Sequence, residues 1–417
     1  MESKYRSRVG WVVIILVGIL LSTARFVFLP GAGAAAVDPS PTPEGGIRVF
    51  DDSLWIPQNA YTMMGVDERE AAELAFEALR PHMVDPASER SIDGWVERPE
   101  RYKAIFDSRP GLSIFMIPLL KFTNPAASIP VVVVALCALL ALLAVWLAAV
   151  LNLRGFGQQR IQALATMIAL LLLPTGIWAT TFLYEGAAMV GAMAVVLLTA
   201  MAVVRETAQL VATVLVVPVG FIALSVKSSL VAPAIVGLIA GLVLIALMVA
   251  NRRRRSVLAI VLNTSALAGW VALSTAFGWP GIAESLQDKF TWQFRAPDVP
   301  DPWSRLWELI LQNAGGLVEA AHLPMLGLLY VVVGGYLVRR LTWRVLFLVP
   351  FPLAALANLL IHPLTTEAER LSAIAWIPIA IGLGTATQDI WDAVLKRRRT
   401  RGTAELEPEA TSKVRVS

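Results

Sequence analysis

A series of long apolar stretches, separated by short charged connections, constrains this chain more than any other feature of its sequence. Eight of the stretches have transmembrane length and two are shorter. The ten candidate spans lie at about 9–29, 127–151, 159–180, 187–204, 207–226, 230–250, 256–278, 322–338, 344–361 and 371–387. At 57% hydrophobic and 16% charged residues, the composition is too apolar for an ordinary soluble domain. The sequence therefore predicts an all-α polytopic membrane protein with about ten transmembrane helices, because about 20 apolar residues cross a hydrocarbon layer about 30 Å thick.

Basic clusters occur in every second connection between these stretches, and this alternation predicts the orientation of the chain. The clusters are Lys4, Arg6 and Arg8; Arg154 and Arg160; Arg205; Arg252–Arg255; Arg339, Arg340 and Arg344; and Lys396–Arg399 with Arg401. Because positively charged connections stay in the cytoplasm, both termini are predicted to be cytoplasmic. The excess of Arg over Lys and the abundance of Ala are typical of GC-rich bacterial genomes, so the expected location is a bacterial plasma membrane.

The first stretch begins like a signal peptide, but it is predicted to be a retained transmembrane anchor. Basic residues precede its apolar core, and the small residues 31–36 that follow it are similar to a cleavage site. However, the apolar run 11–29 is longer than the core of about 7–15 residues that signal peptides have. Arg25, near the outer end of the run, is expected to extend its guanidinium outward to the membrane surface.

Residues 1–390 are predicted to form one transmembrane domain, and residues 391–417 a charged cytoplasmic tail. The outer connections that would form its functional face are 30–126, 279–321 and 362–370. In the first of them, the spacing of apolar residues predicts a helix from Asp67 to Arg80, which Pro81 stops. A short apolar segment, Arg109 to Phe122, is predicted to lie along the outer leaflet or partly within it.

Charge, cysteine and histidine content exclude several classes of protein. The net charge of +4 comes from short groups at span ends, a topology signal that excludes nucleic acid as the expected partner. Cys137 is the only cysteine, so neither an intrachain disulfide nor a thiolate metal cluster can form. Three histidines occur singly, without the paired spacing of metal-binding motifs: His82, His322 and His362. No cofactor is predicted, although a divalent cation held by Asp51, Glu185 or His322 is left open.

The polar segment from Arg48 to Trp55 carries two adjacent carboxylates, Asp51 and Asp52, soon after the first span. In the predicted orientation this pair lies on the face away from the basic clusters, at the boundary between water and lipid. Enzymes that use lipid-linked substrates work at this boundary. The pair is therefore a candidate catalytic site, and its alternative role is to cap a turn or a helix.

Four segments, spread over about residues 9–390, together resemble the GT-C superfamily of membrane glycosyltransferases. They are the pair Asp51-Asp52, the proline-containing juxtamembrane segment Ser108–Lys121, the span end and acidic loop Pro174–Glu185, and the late Arg-plus-apolar segment Glu369–Pro378. The Asp-Asp form is more similar to the envelope arabinofuranosyl- and mannosyltransferases than to the protein mannosyltransferases. Two positions depart from the family pattern, since Gly111 replaces the usual second proline and Leu371 the usual aromatic residue.

The resemblance implies transfer of a pentose or hexose from a polyprenyl-phosphate donor to a cell-envelope glycan or glycolipid at the outer face, with the lipid tail between spans. Such a transfer needs a base that takes the proton of the acceptor hydroxyl group. A carboxylate beside a second carboxylate suits this role, because repulsion between like charges raises its pKa. Asp51 or Asp52 is the expected base, with a slight preference for Asp51, which follows the apolar Val49 and Phe50 directly.

Five further residues are predicted to bind the substrates. Arg370 is expected to hold the departing phosphate, because a guanidinium can grip two phosphate oxygens at once. Lys227 is expected to assist it, and Glu185 to orient a sugar hydroxyl group. His322 and Trp292 are predicted substrate contacts, the latter by stacking on a sugar ring. Each has an ordinary alternative, such as an interfacial anchor for Arg370.

Other interpretations of the chain are left open. The outer tryptophans are also typical of an interfacial aromatic belt: Trp55, Trp279, Trp292 and Trp303. A secondary transporter or lipid flippase would carry ionisable groups near span centres and discontinuous helices related by a repeat. Charge is almost absent from the span centres of this chain. A non-catalytic envelope assembly protein would explain the large outer loops without a shared pocket.

Overall fold

A computed structural model describes residues 2–28, 50–80, 92–152, 159–205 and 209–412 of the protein. Within these ranges all regular structure is helical, and no strand occurs. The α-helices are α1 (Glu2–Phe28), α2 (Asp51–Met63), α3 (Glu68–Leu79), α4 (Ile92–Val96), α5 (Glu100–Asp107), α6 (Pro110–Leu120), α7 (Pro125–Asn152), α8 (Arg160–Leu172), α9 (Pro174–Ala179), α10 (Tyr184–Val204), α11 (Gln209–Met248), α12 (Arg253–Ala276), α13 (Ile282–Phe290), α14 (Pro302–Ala320), α15 (Leu323–Leu329), α16 (Gly335–Leu341), α17 (Pro350–Ile361), α18 (Ala368–Ser372) and α19 (Ile377–Ser412). Short 3₁₀ or π segments lie at Ala250–Arg252, Tyr330–Gly334, Thr342–Leu348, Thr365–Glu367 and Ala373–Trp376.

Several of these helices have the length and composition of membrane spans, as the sequence predicts. Six such segments occur in the described ranges: Pro125–Asn152, Tyr184–Val204, Gln209–Met248, Ala250–Ala276, Leu323–Leu348 and Thr365–Arg398. Shorter apolar helices are Val12–Val27, Pro110–Leu120, Arg160–Leu172 and Pro350–Ile361. The predicted count of ten spans is not confirmed, because prolines divide some predicted spans into shorter helices. The stretch 159–180, for example, is broken at Leu173, where Pro174 begins a new helix.

Lys227 interrupts α11, and this break explains how one element accounts for two predicted spans. A straight helix of 40 residues would be about 60 Å long, twice the thickness of the hydrocarbon layer. The backbone at Lys227 leaves the helical conformation, with φ −159° and ψ 88°, and divides the element into two helices, 209–226 and 228–248. The break coincides with the short outer turn expected between the stretches 207–226 and 230–250.

At the opposite end of the bundle, arginines from three predicted inner connections bind the last carbonyl groups of α7 and α10. Arg205 Nη2 donates to Ala149 O (3.0 Å), Arg344 Nη1 to Leu151 O (2.7 Å) and Arg252 Nη1 to Val203 O (3.3 Å). The last carbonyls of a helix lack intrahelical partners and carry a partial negative charge, so cations stabilise them. Three of the six basic connections therefore lie at one end of the bundle, in keeping with their predicted alternation; the placement of the other three and the orientation of the termini stay predictions.

The packing corrects the predicted locations of one arginine and one tryptophan side chain. Arg25 is not extended outward but is 5% exposed, because it continues the stripe of α1 (Ile14, Gly18, Ser22) that faces the bundle. Trp55 is not part of an interfacial belt, since it is 1% exposed inside the layer formed by α2 to α6. Its ring lies 4.8 Å from that of Trp95, 5.9 Å from that of Tyr102 and 5.1 Å from that of Phe106. The helix expected from Asp67 is confirmed as α3, whose N-cap Asp67 accepts from the Arg69 amide.

We expect cysteine labelling to distinguish the two ends of the bundle. Trp292 and Arg253 are both exposed, and they belong to a predicted outer and a predicted inner connection. Trp292→Cys should react with a membrane-impermeant thiol reagent on intact cells, and Arg253→Cys only after permeabilisation. The unmodified protein is the control, because its single thiol, Cys137, is buried. Labelling of position 292 solely from the cytoplasm would contradict the predicted orientation.

Close packing of α10 on α11 depends on Gly191, which leads to a stability prediction. A Cβ atom at Gly191 would lie 2.7 Å from Ala223 Cβ and 3.0 Å from its Cα, closer than packed carbon atoms approach. We expect Gly191→Ala to lower the free energy of unfolding by about 1–3 kcal/mol. Gly327→Ala, on an open face of α15, is the matched control and should raise it by about 0.5–1 kcal/mol. Thermal unfolding in detergent measures both, and equal shifts would contradict the packing argument.

Candidate active site

A cavity of about 250 Å³ lies at the end of the bundle opposite the arginine-capped carbonyls. Its lining comes from α2, α5, α11, α13, α18 and the connections beside them. The lining residues are Asp52, Tyr102, Ile105, Phe106, Arg109, Lys227, Ser285, Asp288, Lys289, Trp292, Gln293, His362, Leu364, Glu367, Arg370 and Leu371. Predicted outer connections that are far apart in the sequence therefore meet in one polar cavity.

The N-terminus of α2 positions Asp52 at this cavity. Ser53 Oγ accepts a hydrogen bond from the Phe50 amide (3.2 Å) and donates one to Phe182 O (2.5 Å). These bonds fix the first turn of α2 against the segment that precedes α10. Asp52 lies in that turn, half-buried, where the positive end of the helix dipole favours a carboxylate.

Glu185 lies beneath the cavity and joins two of its cations. Lys227 Nζ donates to Glu185 Oε1 at 2.6 Å, and Arg370 Nε lies 3.1 Å from the same oxygen. The side chains of Glu185 and Lys227 are buried, and that of Arg370 is 12% exposed. Glu185 is in the first turn of α10, and Lys227 reaches it because the α11 backbone breaks at that residue. The network fixes both cations, so that they face the cavity without rearrangement.

Glu367 extends the network to the opposite wall. Its Oε2 lies 3.1 Å from Arg370 Nη2 and 3.7 Å from Lys289 Nζ. Arg109 is a further cation of the wall, with its guanidinium over the rings of Phe106 (5.3 Å) and Tyr184 (5.7 Å). The cavity thus carries a dense group of cations.

Polar atoms available to a bound molecule converge on the cavity. Four buried polar atoms of the cavity lining form no hydrogen bond with other described residues: Lys289 Nζ, Asp288 Oδ1, His362 Nδ1 and Arg370 Nε. Such atoms also occur elsewhere in the described residues, so their convergence on one cavity, rather than their number, is what indicates a binding site. They include donors and acceptors, which suits a ligand with hydroxyl and phosphate groups.

Burial and neighbouring charges shift several pKa values around the cavity. Burial raises the pKa of Asp52, an effect that the charge of Arg370 opposes and that of Glu367 reinforces. Burial, followed by the negative charge of Asp52, raises the pKa of Asp288 to about 6. Burial and the charges of Lys289 and Lys227 hold the pKa of His362 well below its usual range, so its imidazole is neutral at pH 7. Groups that can accept a proton therefore face fixed positive charge.

The loop that carries Trp292 has an unusual backbone. Trp292, Gln293 and Phe294 have φ values of 54°, 63° and 59°, and none of them is glycine. A left-handed conformation costs about 1–2 kcal/mol per residue, so the surroundings have to hold it. Arg101 does so: its guanidinium lies 4.3 Å from the centre of the Phe294 ring and binds carboxylates on both sides of the loop, Glu284 and Asp298. Trp292, 80% exposed, is held at the mouth of the cavity, and strained residues of this kind cluster at ligand sites.

Most of the site residues predicted from the sequence are brought together. Asp52, Lys227, Arg370 and Trp292 line the cavity, and Glu185 binds two of them. The Asp51 backbone begins α2, but its side chain lies outside what the structure describes.

His322 is not brought to the cavity. It is exposed at the N-cap of α15, with φ 53°, because the turn from α14 into α15 leaves it at the surface, and it does not line the cavity. The predicted substrate contact there finds no support in the geometry. No cluster of three or more His, Cys, Asp or Glu residues with metal-binding geometry occurs in the described ranges.

Sequence reasoning missed five cavity residues as site residues: Arg109, Asp288, Lys289, His362 and Glu367. Each lies in a predicted outer connection, and Arg109 is in one of the four segments that carry the resemblance. Their location in the outer connections was therefore a usable signal. That signal alone could not select these five residues, because the same connections contain many other charged residues that the fold leaves at the surface.

No protein-family model, no curated protein and no solved structure matches this chain. The resemblance described above therefore rests on four short segments and their order. The function has to be argued from the residues of the cavity.

Proposed function

We propose that this protein is an integral membrane glycosyltransferase that uses a polyprenyl-phosphate sugar donor. The acceptor is a cell-envelope glycan or glycolipid at the outer face of the membrane. The observation that carries the proposal is that Asp52 shares one cavity with Arg109, Lys227, Lys289 and Arg370. Glycosyl transfer from a phosphate requires this combination, a proton acceptor on one side of the reacting carbon and fixed positive charge on the other.

The reaction follows from the positions of these groups. Asp52 takes the proton of the acceptor hydroxyl group as its oxygen bonds to the anomeric carbon of the donor sugar. The bond from that carbon to the phosphate oxygen breaks, and its electron pair leaves with the lipid phosphate. Arg370 and Lys227, already held by Glu185, stabilise the negative charge that develops on the phosphate.

The charge of the cavity complements a departing phosphate. The cations are Arg109, Lys227, Lys289 and Arg370, and the carboxylates that pair with three of them are Glu185 and Glu367. The remaining carboxylates of the lining, Asp52 and Asp288, balance the other two positive charges when both are ionised. Once Asp52 has taken the acceptor proton, one positive charge is in excess, and it favours the negative charge of the departing phosphate. Arginine also offers the paired donors that suit phosphate oxygens.

The surface of α6 suits the lipid part of the donor. Arg109, a cavity cation, directly precedes this helix, and Ile114, Phe115 and Phe122 beside it are more than half exposed. An apolar surface next to a cluster of cations fits a molecule with a polyprenyl chain and a phosphate headgroup.

The distribution of charge favours group transfer over transport. Glu185, Lys227 and Arg370 meet at one end of the bundle, at a helix start and a helix break. A transporter would place its ionisable groups near the bilayer midplane, between the two repeats of its fold. The scaffold alternative does not account for buried cations and carboxylates in one cavity.

Sugar transfer by the purified protein tests the proposal. The protein in detergent would be given radiolabelled polyprenyl-phosphate pentoses and hexoses with envelope glycan acceptors, and the labelled product would be separated from the donor. We expect a product with at least one donor, formed roughly 10²–10⁴-fold more slowly by the Asp52→Asn variant. Movement of labelled lipid or solute across proteoliposomes, without any transfer product, would support the transporter alternative instead.

A further inference from the structure

We infer that Asp288 binds the acceptor through a hydroxyl group beside the one that Asp52 deprotonates, so that the carboxylate pair of the site comes from α13 and α2 rather than from adjacent positions in the sequence. This inference rests on the proposed glycosyl transfer, and it identifies the part of the cavity wall at which the acceptor binds. It differs from the sequence prediction, in which the pair is Asp51 and Asp52, with a slight preference for Asp51 as the base.

Asp288 lies in the wall of the cavity that also contains Asp52. Trp292, the exposed aromatic residue at the mouth of the cavity, follows Asp288 by four residues, in the loop after α13. Asp288 Oδ1 is buried and accepts no hydrogen bond from other described residues. A buried carboxylate oxygen without a donor is costly, so a donor from the ligand is expected there. A sugar hydroxyl group supplies one.

Charged groups from several elements face Asp288, and they influence the pH at which its carboxyl group ionises. They are Asp52 of α2, Lys289 of α13, Arg98 and Arg109. Other titratable groups around the cavity are Tyr102, Lys227, His362, Glu367 and Arg370. Repulsion between Asp52 and Asp288 acts on both groups, so the pair loses its protons in two coupled steps. With both carboxylates ionised, Asp288 accepts a hydrogen bond from a neighbouring, non-reacting hydroxyl group of the acceptor, while Asp52 removes the proton of the reacting hydroxyl group.

The proton released in this step stays on the carboxylate pair. The acceptor O–H bond breaks and its proton goes to Asp52, while the acceptor oxygen bonds to the anomeric carbon. The lipid phosphate leaves with the electron pair of the broken bond. Asp288 stays ionised, and it holds the proton near the pair because repulsion favours protonation of one of the two carboxylates.

The first experiment does not depend on activity. Infrared spectra of the purified protein, recorded as a function of pH, should contain a carboxyl band that titrates near pH 6, the pKa of Asp288. The band should disappear in Asp288→Asn. In Asp52→Asn it should move to lower pH, because the anion that raises the pKa of Asp288 has been removed. The absence of such a band, or its persistence in Asp288→Asn, would overturn the inference whether or not the protein transfers sugar.

The second experiment uses the pH dependence of sugar transfer. The acid limb of kcat/KM, which reports the ionisation of the pair, should lie above the ordinary pKa of a carboxyl group in the unmodified protein and move to lower pH in Asp288→Asn, because the repulsion between the two carboxylates is removed. At its optimum pH this variant should lose about 10- to 100-fold in kcat/KM for the acceptor, with little change in KM for the donor.

The control is Glu308→Gln, which changes an exposed carboxylate on α14 and should leave both the pH profile and the kinetic constants unchanged. An active Asp288→Asn protein with the unmodified profile would refute the role of Asp288 alone; an inactive unmodified protein would refute the proposed function.

Discussion

Asp52→Asn is expected to lower the rate of sugar transfer by roughly 10²–10⁴-fold, since it keeps the size of the side chain but removes the proton acceptor. Asp51→Asn should have a much smaller effect, because the proposal assigns the base to the carboxylate that lines the cavity. The measurement is kcat with a saturating polyprenyl-phosphate sugar. Equal losses in the two variants, or near-normal transfer by both, would contradict the assignment.

The stability of Asp52→Asn separates loss of chemistry from loss of fold. Burial raises the pKa of Asp52 in the folded protein, so folding favours its protonated form. At neutral pH the ionised carboxylate therefore lowers stability, and the neutral amide should be at least as stable. This advantage of the variant should shrink as the pH falls toward the ordinary pKa of Asp, near 3.9. Thermal unfolding at several pH values measures it; a variant that melts much earlier at neutral pH would show that Asp52 supports the fold.

Removing Arg370 is expected to affect donor use and stability together. Arg370 contacts both Glu185 and Glu367, and its side chain is largely buried. Arg370→Gln leaves these carboxylates with less positive charge, which should cost about 3–5 kcal/mol of stability and abolish transfer. Arg370→Lys keeps the charge but loses the paired donors, so it should fold and show weakened donor use. Arg305→Ala, which breaks an exposed pair on α14, is the control and should cost at most about 1 kcal/mol.

A second change distinguishes the two effects of Arg370. Glu367→Gln, combined with Arg370→Gln, removes one of the carboxylates that the first change leaves without its cation. The double variant should recover part of the lost stability, measured by thermal unfolding, and no transfer activity. Recovery of transfer in the double variant would mean that Arg370 only neutralises Glu367, and would remove it from the phosphate site.

Properties that depend on local sequence were predicted well. The apolar stretches fall on helices, the helix from Asp67 is present, and α11 breaks where a short turn was expected. Hydropathy over about 20 residues and the charge of short connections act locally, so no tertiary contact is needed to see them. The lengths of individual spans were less certain, because a proline such as Pro174 ends one helix and begins another.

Burial of polar and aromatic residues was predicted poorly. Arg25 and Trp55 were both expected to meet the membrane surface, and both are buried. Arg25 is buried because of its position on the helix, where it shares a face with Ile14 and Ser22. For Trp55 the decisive contacts are with Trp95 and Phe106, which come from other helices of the outer layer. A residue type favours a location, but the neighbours that cover it are unknown until the helices pack.

The sequence alone determined that the chain is helical and that it has apolar helices of membrane-spanning length; it also predicted that the acidic pair and the basic clusters lie in opposite sets of connections. Only the tertiary structure decided which charges share a site: it placed Asp52 and Asp288 in one cavity, it brought Arg370 to Glu185, and it left His322 outside. The physical reason is that the separation of two residues along the chain says little about their distance once helices pack. A cavity exists only where the ends of several helices converge.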